Sequence, residues 1–139
     1  MGSGRTTQAS RVHSALPEDA FEIIDEVEGL LVGVAGSAPA DLVEPALEVL
    51  TSGGKRLRPL LLVLIARMGE PRQEDLLGAA TAIEVLHTAT LIHDDIVDRA
   101  ETRRGVPTTV AGYGREIAAA TGDYLFAWAF SELARIGDP

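Results

Sequence analysis

The sequence has no cysteine and few aromatic side chains. Its 139 residues include three Phe, two Tyr and one Trp. Without cysteine, the chain can form neither a disulfide framework nor a thiolate metal site. The apolar content of 46% is drawn mainly from Ala, Leu, Val and Ile, which suits packed helices better than a β-sandwich or a barrel. The length is that of one ordinary domain.

The chain also lacks long apolar runs and an excess of positive charge. No run approaches the ~20 residues of a membrane-spanning helix, so we expect no transmembrane segment. Residues 1–14 contain no hydrophobic core of a signal peptide, which favours a cytoplasmic location. The net charge of −9 argues against nucleic acid as a partner.

The spacing of apolar residues predicts helices and no β-strands. We expect residues 1–16 to form a flexible N-terminal segment and residues 17–139 to form a helical domain. The third predicted helix is apolar on nearly every side, which indicates a helix buried all round. The fold class is therefore all-α, with five helices near 17–36, 40–50, 59–66, 73–99 and from 111 or 116 to 135.

Three aspartates lie near the end of the fourth predicted helix. Asp94 and Asp98 are four residues apart and share one face, and His87 lies two turns earlier on the same side. Together with Asp95, these carboxylates repel one another unless a cation is bound there. Mg²⁺ prefers oxygen ligands and is commonly shared with phosphate groups. This face therefore predicts a magnesium site that binds a diphosphate, although a solvated helix end would give a similar pattern.

Two basic windows are the other candidates. Residues 53–59 (GGKRLRP) combine a glycine turn, three cations and a helix start, where backbone N–H groups and the helix dipole favour an anion. Lys55 and Arg58 are its candidate phosphate ligands. The second window places Arg103 and Arg104 before a glycine. The spacing of a nucleotide P-loop is absent.

The pair His93-Asp94 allows a different interpretation. Adjacent His and Asp residues on a helix can mark a dinuclear phosphohydrolase. Such a site needs a second upstream histidine, and His87 is poorly placed because it lies on the same helix. His93 points away from the Asp94 face, and we expect its role to be structural.

Taken together, these motifs resemble those of the trans-polyprenyl diphosphate synthase family. The matching pieces are residues 53–59, His87, the motif DDIVD at 94–98, RRG at 103–105 and GDY at 122–124. The resemblance implies an antiparallel helix bundle that forms half of an isoprenoid-synthase fold. It also implies Mg²⁺-dependent, head-to-tail condensation of isopentenyl diphosphate with an allylic diphosphate.

The resemblance also assigns roles by position. Asp94 and Asp98 would be the Mg²⁺ ligands, Asp95 would support them, and Arg103 would contact the allylic diphosphate. The residues that would hold isopentenyl diphosphate are Lys55, Arg58, His87 and Arg104.

Product length is the next implication of the resemblance. In relatives, large side chains four or five residues before the first aspartate stop the growing chain. These positions hold Thr90 and Ala89, which are small, so we expect a product longer than farnesyl. Leu86 and Phe126 are candidate floors of the channel.

The sequence departs from the family in one respect. Members of the family are longer and carry a second aspartate-rich motif, which nothing after Asp98 matches. We expect a subunit of a split, heteromeric enzyme whose partner chain supplies that motif. A truncated fragment and a non-catalytic regulatory subunit are alternatives. A terpene cyclase is another, although it has no need of Lys55, Arg58 and His87.

Overall fold

The computed structural model describes residues 18–137 as six helices and one short hairpin. The expected flexible segment 1–16 lies outside the described residues. The two strands of the hairpin pair antiparallel, with Arg103 opposite Val106. The elements are α1 (Glu18–Gly36), α2 (Ala40–Thr51), α3 (Leu57–Ala66), α4 (Gln73–Asp98), β1 (Thr102–Arg103), β2 (Val106–Pro107), α5 (Thr109–Tyr113) and α6 (Arg115–Arg135).

The helix α4 is the centre of the fold and packs mainly against α6, with α3 and α1 on its other sides. Its buried side is rich in small residues, as is the facing side of α6, so the two backbones lie close together. Larger side chains from the surrounding helices complete the core. The small buried residues of α4 and α6 include Gly78, Ala80, Ala82, Ala89, Ala118, Gly122 and Ala129.

The close contact of α4 with α6 is clearest at Gly122. A Cβ atom at this position would lie 2.6 Å from Nε2 of His93, too near for any side chain. The His93 ring also stacks on Phe126, with ring centroids 5.3 Å apart. Tyr124 ties the same helix to α1 by donating a hydrogen bond of 2.7 Å from its hydroxyl to the Val34 carbonyl. Gly122 and Tyr124 therefore join α6 to α4 and to α1, and His93 packs between α4 and α6.

The all-α prediction is confirmed, and α4 ends within one residue of its predicted limit. The prediction that α3 is buried all round is wrong. Leu57, Leu61 and Ile65 are 57%, 59% and 58% exposed, and only Pro59 and Val63 are buried. One side of α3 contacts α4 and α1, whereas no described residue covers the other side.

Two further expectations need correction. The sequence predicted no β-strands and a loop at residues 103–107, but residues 102–107 form the β1–β2 hairpin. By length and composition, α4 is apolar enough to cross a membrane, although the sequence indicated no such run. More than half of its most apolar window, 56%, is buried inside the protein, as expected of a core helix.

We predict that Gly122→Ala destabilises the fold by up to about 2 kcal/mol. Overpacking against His93 costs about 1–3 kcal/mol, and the better helix propensity of alanine returns about 1 kcal/mol. Urea unfolding of the two proteins measures the difference.

Gly29→Ala on α1 is the matched control, because nothing lies within 4 Å of a Cβ at that position. It should stabilise the protein by about 0.5–1 kcal/mol. If Gly122→Ala were equally stabilising, the close contact between α4 and α6 would be refuted.

Candidate functional site

The face of α4 that carries Asp94 and Asp98 is open to solvent. Both aspartates are exposed and lie one turn apart. Within residues 18–137, neither carboxylate accepts a hydrogen bond or forms an ion pair. The same face carries the half-buried His87 two turns earlier and the exposed Thr90 between them. Two free carboxylates therefore stand at one end of an exposed helical stripe.

Asp95 points in another direction and is buried. Its Oδ1 accepts hydrogen bonds from Arg103 Nη2 at 2.8 Å and from Nε at 3.1 Å. This pair raises the pKa of Arg103, partly opposed by desolvation, and the nearby charges of Asp94 and Asp98 contribute to the increase. Asp95 thus holds Arg103, carried by the hairpin, against the end of α4.

Arg104 lies in the two-residue turn between β1 and β2. Arg104 and Gly105 both have positive φ, at 52° and 79°, as the twist of a tight hairpin requires. Beyond the hairpin, the Thr108 hydroxyl donates to the Ala100 carbonyl at 2.7 Å and accepts from the Ala111 N–H at 3.1 Å. These bonds hold the base of the hairpin to the end of α4 and the start of α5.

A cavity of about 500 Å³ lies between the 53–59 loop, α4, the hairpin and α5. It gathers every residue predicted to bind substrate, whereas Asp94 and Asp98 lie outside its lining. The substrate-binding candidates on its wall are Lys55, Arg58, His87, Arg103 and Arg104. Residues far apart in sequence thus form one cationic cavity in an acidic chain.

The positive charge of this cavity affects the pKa of His87. Burial lowers the pKa of its imidazole, and the positive charges of Arg58, Arg104 and Arg103 lower it further, partly opposed by the Glu84 carboxylate. A neutral imidazole at pH 7 can accept a hydrogen bond as well as donate one. An anion bound among these arginines would favour the charged form instead.

Tyr113 and Glu48 close one edge of the cavity. The Tyr113 hydroxyl, on α5, donates a hydrogen bond of 2.6 Å to Oε2 of Glu48 on α2. This bond raises the pKa of Tyr113 to about 12, so the phenol stays protonated at neutral pH. Neither residue was singled out from the sequence, because a contact between positions 65 residues apart leaves no local pattern.

The sequence grouped Arg56 with Lys55 and Arg58, but the structure separates it from them. Its side chain is buried and bonds Glu28, Glu84 and the Leu50 carbonyl rather than lying open to a ligand. The signal available in the sequence was Glu84, a carboxylate in an otherwise apolar stretch of α4, which required a cation.

The four candidate chain-length residues occupy different surroundings. Thr90 is exposed on the Asp94 face, and Leu86 is half-buried against the core. Ala89 is completely buried, so a large side chain there would enter the packed core rather than open space. Phe126 stacks on His93, with ring centroids 5.3 Å apart, and on Phe130, with ring centroids 6.4 Å apart.

The carboxylates of Asp94 and Asp98 suit Mg²⁺ in one specific way. Residues 18–137 contain no group of three or more His, Cys, Asp or Glu side chains that could enclose a metal ion. Two exposed carboxylates at i and i+4 fit a Mg²⁺ that retains water and shares its remaining positions with substrate phosphates. The donor set therefore fits magnesium held jointly by protein and diphosphate.

Comparison with known proteins gives consistent matches. The family model described as "Polyprenyl synthetase" matches residues 39–139. The chain is 39% identical to "Heptaprenyl diphosphate synthase component 2" of Geobacillus stearothermophilus over 128 residues, covering 92% of this chain and 39% of that protein. This chain spans about a third of the length of the curated relatives it matches, from 28% to 39%.

Solved structures agree with this result. The heptaprenyl diphosphate synthase of Staphylococcus aureus superposes with a TM-score of 0.79 at 34% identity, covering 86% of this chain and 38% of that one. A polyprenyl synthase of Caulobacter crescentus, complexed with calcium and isoprenyl diphosphate, gives 0.77 at 36% identity, covering 84% and 35%. The fold is thus shared with part of each of these all-α synthases.

We expect the imidazole of His87 to titrate below 6.5, its ordinary pKa, in phosphate-free buffer. Because the folded pKa is depressed, the stability due to neutral His87 is fully present above about pH 6.5 and is lost as the pH falls through the folded value. Inorganic pyrophosphate should raise the pKa.

An NMR titration measures both values, and His87→Asn identifies the resonance among the three histidines. A pKa at or above 6.5 in the free protein would contradict the cationic environment described for this cavity.

Proposed function

Since the chain belongs to the polyprenyl synthetase family, we propose that it forms the first-motif half of a trans-polyprenyl diphosphate synthase. This half would hold isopentenyl diphosphate and an allylic diphosphate side by side for head-to-tail condensation. The observation that carries the proposal is the convergence of five cationic or titratable residues on one cavity beside the Asp94–Asp98 face. Its all-α fold, shared with part of each matched synthase, supports the same conclusion.

The cavity is the proposed site of isopentenyl diphosphate. Lys55, Arg58 and Arg104 would neutralise its diphosphate, with the guanidinium groups offering paired donors to phosphate oxygens. His87, which is neutral when the cavity is empty, would donate a hydrogen bond to the same group. Fixing the diphosphate in this way orients the attached carbon chain towards the open α4 face.

The Asp94–Asp98 face is the proposed site of the allylic diphosphate. Magnesium bound there would stabilise the negative charge that develops as the diphosphate leaves. Arg103, held by Asp95, would donate hydrogen bonds to the departing group from the other side. The double bond of isopentenyl diphosphate then attacks the allylic carbon, a carbon–carbon bond forms, and a proton is lost.

We further propose that a partner chain completes the site. Asp94 and Asp98 face solvent, and the described residues contain no group of three or more His, Cys, Asp or Glu side chains that could hold a metal ion. Exposed apolar side chains on α3 and α6 support a second protein surface, because patches of this kind favour association. Relatives such as "Heptaprenyl diphosphate synthase component 2" carry names that indicate more than one component. The exposed apolar residues are Leu57, Leu61, Ile65, Phe130 and Leu133.

The test is a prenyltransfer assay with Mg²⁺, labelled isopentenyl diphosphate and farnesyl or geranylgeranyl diphosphate, with and without the product of a neighbouring gene. We expect product only in the mixture. Asp94→Asn should then reduce turnover by at least about a hundredfold, equivalent to ~2.7 kcal/mol of transition-state stabilisation.

Asp25→Asn, a change of the same kind at an exposed position on α1, is the control and should leave turnover unchanged. Turnover that survives Asp94→Asn would favour the alternative of a non-catalytic regulatory subunit. The absence of product in every mixture would favour the alternative that the chain is a fragment of a longer synthase.

Product length provides a separate prediction. In the active mixture, Thr90→Phe should shorten the product, because its ring would project from the exposed Asp94 face into the path of the growing chain. Thr90→Val, which stays small, should leave the product unchanged and longer than farnesyl. Mass spectrometry of the products measures the result.

Ala89→Phe is a poor probe of the channel, because Ala89 is fully buried and the substitution would disturb the core. An active Thr90→Phe enzyme with an unchanged product would refute this position as a length determinant.

A further inference from the structure

Arg56 lies at the junction of four helices. Its side chain is only 6% exposed. Nη1 donates to Oε1 of Glu84 on α4 at 2.9 Å, and Nη2 donates to the Leu50 carbonyl on α2 at 2.8 Å. Nε and Nη2 both donate to the Glu28 carboxylate on α1, the second bond measuring 3.1 Å. The residue itself directly precedes α3.

These bonds leave Arg56 with little capacity to bind a ligand. A guanidinium has five N–H donors, and four of them are occupied by the Glu28, Glu84 and Leu50 oxygens. Two carboxylates also more than neutralise its charge. Arg56 is therefore unsuited to hold a phosphate, although it stands between two residues that are suited to do so.

The backbone at Arg56 explains how the side chains of this loop are divided. Its φ of 47° is in the left-handed region, and it follows Gly53 and Gly54, whose φ angles are 87° and 154°. A non-glycine residue is held in this conformation only where its surroundings enforce it. The Arg56 side chain points inward, whereas Lys55 and Arg58 stay exposed on the cavity wall.

Resting on the function proposed above, we infer that Arg56 is a positioning residue for diphosphate binding. By bonding Glu28, Glu84 and the Leu50 carbonyl, it fixes the loop so that Lys55 and Arg58 face His87 across the cavity. Arg56 reaches the wall of the cavity, but because four of its five donors are occupied, it acts through Lys55 and Arg58 rather than by binding the diphosphate itself.

The same helix offers a matched control. Arg67, just beyond the other end of α3, also joins α3 to α1, through a hydrogen bond of 2.7 Å to the Asp19 carboxylate. This ion pair lies away from the cavity, and Arg67 does not line it. A variant of Arg67 therefore shows the effect of weakening the contact between α3 and α1 alone, without disturbing the loop at residues 53–59.

The test compares Arg56→Lys with Arg67→Lys in the 139-residue chain. Lysine keeps the charge but cannot make the planar set of bonds to two carboxylates and a carbonyl. Arg56→Lys should weaken the binding of inorganic pyrophosphate, measured by calorimetry, by roughly tenfold or more, whereas Arg67→Lys should not change it. Equal binding by Arg56→Lys and the parent chain would overturn the inference.

The pKa of His87 gives a second readout that is independent of ligand binding. Arg58, Arg103, Arg104 and Glu84 are the charged groups that influence it. If the loop relaxes, Arg58 withdraws and water enters, so the pKa should rise towards 6.5 in Arg56→Lys and stay unchanged in Arg67→Lys. Because Arg56→Lys preserves the charge of residue 56, a change in the His87 pKa reports a movement of the loop rather than the loss of a charge.

Glu28→Gln is the milder variant if Arg56→Lys fails to fold. It keeps an acceptor on α1 at a half-exposed site and should change both readouts in the same direction by a smaller amount. A parent chain that binds no pyrophosphate would count against the proposed function, and the His87 titration would still decide the role of Arg56. An unchanged His87 pKa in folded Arg56→Lys or Glu28→Gln would overturn that role.

Discussion

The close packing of α4 against α6 is the constraint on which the rest of the structure depends. Small residues on both helices bring the backbones together, and Gly122 leaves room only for the His93 ring. This contact fixes the rotation of α4 about its axis. With that rotation set, Asp95 turns inward towards Arg103, whereas Asp94 and Asp98 turn outward. A core made of small side chains thus decides which aspartate is structural and which are open to a ligand.

Much of this arrangement follows from local sequence patterns. The apolar spacing of α4 predicts its limits to within one residue, and the i, i+4 spacing places Asp94 and Asp98 on one face. The resemblance to the family, rather than any local rule, implies the five substrate ligands, and one cavity gathers all of them: Lys55, Arg58, His87, Arg103 and Arg104. Local rules succeed on α4 because a helix converts spacing in sequence directly into direction in space.

The features that the sequence did not predict depend on contacts between distant segments. The apolar composition of α3 indicated burial on all sides, but burial also requires neighbours, and one side of this helix has none among the described residues. The hairpin was missed because strands of two residues are too short to show alternation. Within the run Lys55-Arg56-Leu57-Arg58, nothing local tells which cation turns inward. That choice is made by Glu28 and Glu84, which are 28 residues away on either side of Arg56.

The pair formed by Asp95 and Arg103 has a consequence for the thermodynamics of binding. A free arginine side chain loses about 2 kcal/mol of rotational freedom when it is immobilised. In this protein that ordering accompanies folding, because Asp95 already holds the guanidinium through two of its nitrogens. A ligand that reaches Arg103 meets a donor whose conformational entropy has already been lost. Its affinity is therefore reduced less by the ordering of this side chain than it would be at a mobile arginine.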